Sequence, residues 1–120
     1  MRPHEKLDVW KRAVDLVTKI YGSTKNFPAD ERFGLTSQIR RAAVSIPANI
    51  AEGAARQSTK EFLQFISIAQ GSSSEVETEL LIAVNLDYLA RAEFDELMSE
   101  IESVSRMLIG LAVHLRKRNS

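Results

Sequence analysis

The sequence predicts an all-α protein, an antiparallel up-down-up-down four-helix bundle. Three observations lead there. Apolar residues recur every three or four positions over four long stretches. Nowhere is a strand-like alternation sustained, and no Asn-Gly or Asp-Gly hairpin signal occurs. The three prolines and five glycines fall largely at the boundaries between those stretches. Short connections make successive helices antiparallel, which is the up-down-up-down arrangement. At ~1.5 Å per residue the longer helices span roughly 40 Å.

The first helix is expected over about residues 8–24, with Asp8 as its N-cap, because a carboxylate can accept the free amide protons of a first turn. Val9, Ala13, Leu16, Val17 and Ile20 form its apolar stripe, flanked by Trp10 and Tyr21. Phe27-Pro28 breaks the pattern, and residues 28–33 read as a separate turn before Gly34. The second helix is expected over 34–56 with Pro47 inside it, where a kink is expected because proline cannot donate to the carbonyl of Ala43. The third spans 58–89. It opens on a capping-box pattern, Ser58 with Glu61. Gly71-Ser72-Ser73-Ser74 lies in its middle and competes as a loop, but the apolar period stays in phase from Ala69 to Val76 and Leu80, which favours unbroken helix. The fourth spans 92–117, acidic at its start and closing on Arg116-Lys117-Arg118, as the helix dipole favours.

A chain of 120 residues with 44% apolar and 27% charged content is expected to form one soluble domain with a real core. It has no cysteine, so disulfides and thiolate chemistry are excluded. No apolar run reaches signal-peptide or membrane-spanning length, and a cytoplasmic location is expected. Net charge is zero, yet residues 1–60 carry eleven Lys and Arg against six acids, and residues 61–120 carry five against ten. The halves therefore attract each other, within the fold or between subunits, or the basic half faces nucleic acid.

The most informative segment runs from Gln38 to Gly53. Ile39, Ala43, Ile46 and Ile50 form a core stripe. Gln38, Ala42, Ser45, Asn49 and Glu52 follow the same rhythm one residue earlier, about 100° around the helix. Small and polar groups there point to a second close contact, with the next helix or with another subunit. Centring the turn near Arg56 and Gln57 makes the numbers of facing residues total about 113. That pairs Ala42 with Gly71, Arg41 with Ser72, Gln38 with Glu75 and Asn49 with Gln64. The glycine and serines would then permit close approach, and Gln38, Arg41 and Glu75 would form a polar brace, so that Glu75→Gln should lower stability.

No catalytic, cofactor or metal motif is found. Carboxylate-bridged metal bundles use Glu-x-x-His pairs, and neither His4 nor His114 has an acid three residues before it. Ser72 to Ser74 lack a nearby histidine base, and Gly34, Gly53 and Gly71 make no phosphate-cradling loop. No cofactor is expected.

Phe33, Leu35, the Gln38–Gly53 run, Lys60-Glu61-Phe62, Phe65, Ala69, Gly71-Ser72, Glu75 and Glu79 together resemble the bacterial family of 23S ribosomal RNA intervening-sequence proteins. The resemblance covers most of the chain and implies a four-helix bundle that assembles as a homopentamer, with no known biochemical role. A related branch, the accessory variability proteins of diversity-generating retroelements, binds a reverse transcriptase and nucleic acid. Two functions from different classes are therefore expected. One is a non-catalytic, self-associating interaction protein, with Trp10, Tyr21 and the basic side of the first helix facing a neighbour or a partner. The other is a nucleic-acid-binding accessory factor using Lys11, Arg12, Lys19, Arg40, Arg56, Arg116, Lys117 and Arg118. A third, weaker option is a small-molecule pocket near Pro47.

Overall fold

Four helices carry the fold in a computed structural model that describes residues 1–119: α1 (Asp8–Thr24), α2 (Leu35–Ala54), α3 (Thr59–Asn85) and α4 (Arg91–Asn119). Single 3-10 turns at Pro3–Lys6 and Ala29–Glu31 precede α1 and α2. Each helix packs on its sequence neighbours and α1 closes on α4, giving an antiparallel bundle of 48 × 23 × 22 Å. The core joins the expected Leu16 and Ile20, Ile39, Ile46 and Ile50, Val76 and Leu80 to Ile66 of α3 and Ile101, Val104 and Leu108 of α4, all at most 1% exposed.

Helix α3 runs unbroken through Gly71-Ser72-Ser73-Ser74. Its apolar period outweighs four weak helix formers because Ala69, Ser73, Val76 and Leu80 are all buried on one face. Ser73 Oγ also meets Ser105 Oγ of α4 at 2.8 Å. Ser58 caps α3 as expected, accepting from the Glu61 amide at 3.1 Å. Asp8 does not cap α1. Leu7 holds the N-cap position, and Asp8 is the first helical residue.

The third helix stops at Asn85, short of the expected 89. Tyr88 N–H donates to Ala83 O at 3.0 Å and Asp87 N–H to Val84 O at 3.1 Å, while Asp87 adopts φ 62°. This is the Schellman pattern of a helix end, with aspartate in the left-handed position that glycine usually occupies. The start of α2 is tied to this turn. Glu31 accepts from Leu35 N–H at 3.1 Å and from Tyr88 O–H at 3.0 Å. The hydrogen bond to Glu31, with burial and the nearby acids, raises the Tyr88 phenol pKa. The Tyr88 ring also packs on Phe27, centroids 5.6 Å apart.

The α2–α3 register differs from the expected one. Ser45 meets Ser72, so facing numbers total 117, one helical turn beyond 113. Side chains lean toward the N-terminus of their own helix, so in an antiparallel pair the residues that touch lie further along both chains than a count from the turn suggests. Gly71 is exposed and a Cβ there would meet nothing within 4 Å, so it is not the site of close approach. That role belongs to Gly53, where a Cβ would lie 2.7 Å from Phe65 Cβ and 2.9 Å from the Phe62 ring.

Candidate functional site

The polar stripe of α2 divides into two parts. Its middle is an internal seam: Ala42 is buried, Ser45 bonds Ser72 at 2.9 Å, and Asn49 Nδ2 donates to Ser45 O at 2.7 Å and to Ser45 Oγ at 2.9 Å. Its ends project outward. Gln38 is exposed, and Glu52 is exposed and pairs with Arg56 at 3.1 Å. The brace of Gln38, Arg41 and Glu75 does not form. All three are exposed and no ion pair joins Arg41 to Glu75, because the one-turn shift puts Glu75 opposite Ala42.

The carboxylate that faces inward is Glu79, on the buried face of α3, 7% exposed with Oε1 unpaired. Burial, reinforced by the neighbouring Glu75 carboxylate, pushes its pKa up to about 7. The sequence did hold a signal for it. Glu79 falls three residues after Val76, on the apolar phase of α3.

A second feature lies where the end of α1 meets the start of α2. Arg40 Nε donates to Thr24 Oγ1 at 2.9 Å and Nη2 to Tyr21 O at 3.4 Å, which lays its guanidinium 4.5 Å from the Tyr21 ring centroid. One turn before α2, Arg32 lies 5.4 Å from the ring of Phe33, which is 90% exposed. These residues, with Arg41, Thr36, Ser37, Val44 and Ser45, line an open cavity of about 680 Å³. A smaller one of about 280 Å³ adjoins it, shares Arg32, Thr36 and Arg40, and adds Lys25. No carboxylate lines either cavity. Thr36 is 8% exposed, and its Oγ1 has no hydrogen-bond partner. Sequence reasoning singled out Arg40, Arg41 and Ser45 for separate roles and did not join them to Arg32, Phe33, Thr36 and Ser37. Phe33 offered a clue, since it stands in a turn with no apolar stripe to join.

The candidate phosphate-binding residues do not share one surface. Lys19 pairs with Glu100 at 3.1 Å, Arg56 is engaged by Glu52, and Arg40 belongs to the groove. Lys11 and Arg12, near the start of α1, and exposed Arg116, Lys117 and Arg118, near the end of α4, lie toward the pole that also holds the α2–α3 turn. The groove sits toward the opposite pole. Trp10 packs edge-on against His4, ring centroids 4.7 Å apart, and is half-buried within its own chain. Among the described residues no three His, Asp or Glu side chains are grouped to hold a metal ion, and no helix is long and apolar enough to cross a membrane.

The sequence model of the 23S rRNA-intervening sequence proteins matches residues 5–110. The chain belongs to that family. The span matched to the 23S rRNA-intervening sequence family takes in the groove, the α2–α3 seam and Glu79 of this chain, while Arg116, Lys117 and Arg118 fall outside it. A crystal structure of a protein of unknown function from the S23 ribosomal protein family of Bacteroides thetaiotaomicron is similar, with TM-score 0.78 and 24% identity. The likeness covers 87% of this chain and 97% of that one and shows a shared fold. No curated protein matches.

Proposed function

We propose that this protein is a non-catalytic, self-associating bundle that serves as an interaction scaffold, with the homopentamer implied by the family resemblance as its assembly. One observation carries the reading. Helices α3 and α4 expose five large aliphatic side chains, Ile68, Leu81, Ile82, Ile109 and Val113, and Leu86 in the turn after α3 adds a sixth, each between 42% and 56% accessible. The Ser73–Ser105 contact sets the α3–α4 register and brings Ile68 and Ile109 to the same level of the bundle. Exposed aliphatics also occur at Val14 of α1 and Val44 of α2, but most lie on α3, α4 and the turn between them, and such side chains favour burial against another protein surface. The groove supports a binding role over catalysis, since its guanidinium, hydroxyl and aromatic groups include no general base that works near neutral pH. Light scattering on the purified chain at micromolar concentration tests the reading. The expected mass is five times the 13.5 kDa of one chain, and a stable monomer refutes it.

A second reading, an accessory factor that contacts RNA or a reverse-transcriptase-like partner, draws support from the basic pole of Lys11, Arg12 and Arg116 to Arg118. Ring assembly would repeat that pole and multiply weak phosphate contacts. Its test is a mobility shift with single-stranded RNA. Binding at low salt that weakens steeply as salt rises is expected, and no shift at low salt refutes it.

A further inference from the structure

We propose that the groove between α1 and α2 is a binding site for a nucleoside phosphate, with the base on Phe33 and the phosphates between Arg40 and Arg41. The site lies within one chain and depends neither on assembly nor on the basic pole. Four observations converge on it. The main cavity, about 680 Å³, has the size of a small-molecule site. Its three arginines face no carboxylate in either cavity, and the adjoining one adds Lys25, so an uncompensated positive charge awaits an anion. Arg40 is already oriented by Thr24 and Tyr21, which leaves its Nη1 edge to donate to phosphate oxygens. Thr36 lies nine-tenths buried between the two cavities with its hydroxyl unpaired, a polar group for which the isolated chain supplies no partner.

The aromatic residues select the class of anion. Inorganic phosphate or sulfate needs only the cations. Phe33 offers a flat face at 90% exposure, and a guanidinium stands beside it, as another stands over Tyr21. A planar base can stack on such a ring while its phosphates reach the arginines further along α2. The first turn of α2 begins at Leu35, so its positive dipole end reinforces the preference for negative charge without being the basis of it.

The test is isothermal titration calorimetry of the full chain with ADP, adenosine, pyrophosphate and a single-stranded oligoadenylate. ADP is expected to bind at one site per chain, with adenosine and pyrophosphate each weaker by about tenfold or more. Phe33→Ala should weaken ADP about tenfold and leave pyrophosphate unchanged. Arg41→Ala should weaken ADP and pyrophosphate together and flatten the salt dependence. Both side chains are exposed, so folding should be untouched, and an unchanged circular dichroism melt verifies it. No saturable heat with ADP up to about 1 mM overturns the proposal. So does ADP binding that both substitutions leave intact. Oligoadenylate binding without ADP binding also overturns it and assigns the groove to a polymer.

Discussion

Glu79 is a carboxyl group held 7% exposed among the core residues of α3, with an unpaired oxygen and a second carboxylate beside it. Its pKa rises from 4.5 to about 7 on folding. The folded chain therefore keeps a proton that the unfolded chain releases, and proton linkage gives the sign. This group's contribution is intact below about pH 4.5, falls as pH rises toward 7, and is level above that. The loss across the window is roughly 3 kcal/mol. Glu79→Gln should remove that slope and raise stability above pH 7 by a similar amount, as urea melts at pH 5 and 8 would show. Glu75→Gln, read from sequence as weakening a brace, should now leave stability unchanged or raise it, because it removes the charge that opposes Glu79 ionisation.

At the scale of the helices, two glycines carry opposite predictions. Gly71 is helical, exposed and open on its Cβ side, so Gly71→Ala should stabilise by about 1 kcal/mol through helix propensity alone. Gly53 is buried against Phe65 and Phe62, and a methyl at 2.7 Å from Phe65 Cβ forces α2 and α3 apart. Gly53→Ala should destabilise by about 1–3 kcal/mol despite the same propensity gain. Thermal melts of the two variants check both signs, and matching shifts would contradict the one-turn register. The α3–α4 turn carries a third prediction. Asp87→Gly relieves a left-handed aspartate at φ 62° and should stabilise by roughly 0.5–1 kcal/mol, measured by urea unfolding.

At the scale of the whole molecule, assembly through α3 and α4 predicts which side chains matter. Ile109→Glu places a charge at a 56% exposed aliphatic, so the monomer should fold normally. If the face is buried on association, Kd should rise about 10- to 100-fold, seen as a shift toward the 13.5 kDa species in sedimentation velocity. The groove residues lie toward the α1–α2 side, so Phe33→Ala and Arg41→Ala should leave the sedimentation profile unchanged. The two surfaces can therefore be tested separately.

Periodicity determined the number of helices and nearly every core position, because burial demands an apolar residue every three or four positions wherever a helix meets a core, and the short connections determined the antiparallel order. Ile39, Ile46 and Ile50 were readable in this way, and so was the continuity of α3 through its serines. Tertiary structure decided how the helices slide past one another. A shift of one turn preserves the apolar phase of both helices, so the sequence pattern is nearly blind to it. Yet that shift takes Glu75 from Gln38 to a place opposite Ala42 and moves the tight contact from Gly71 to Gly53. The groove was hidden for a related reason. Tyr21, Phe33 and Arg40 come from a helix, a turn and a second helix, and only the docking of α1 on α2 brings their rings and charges into one cavity.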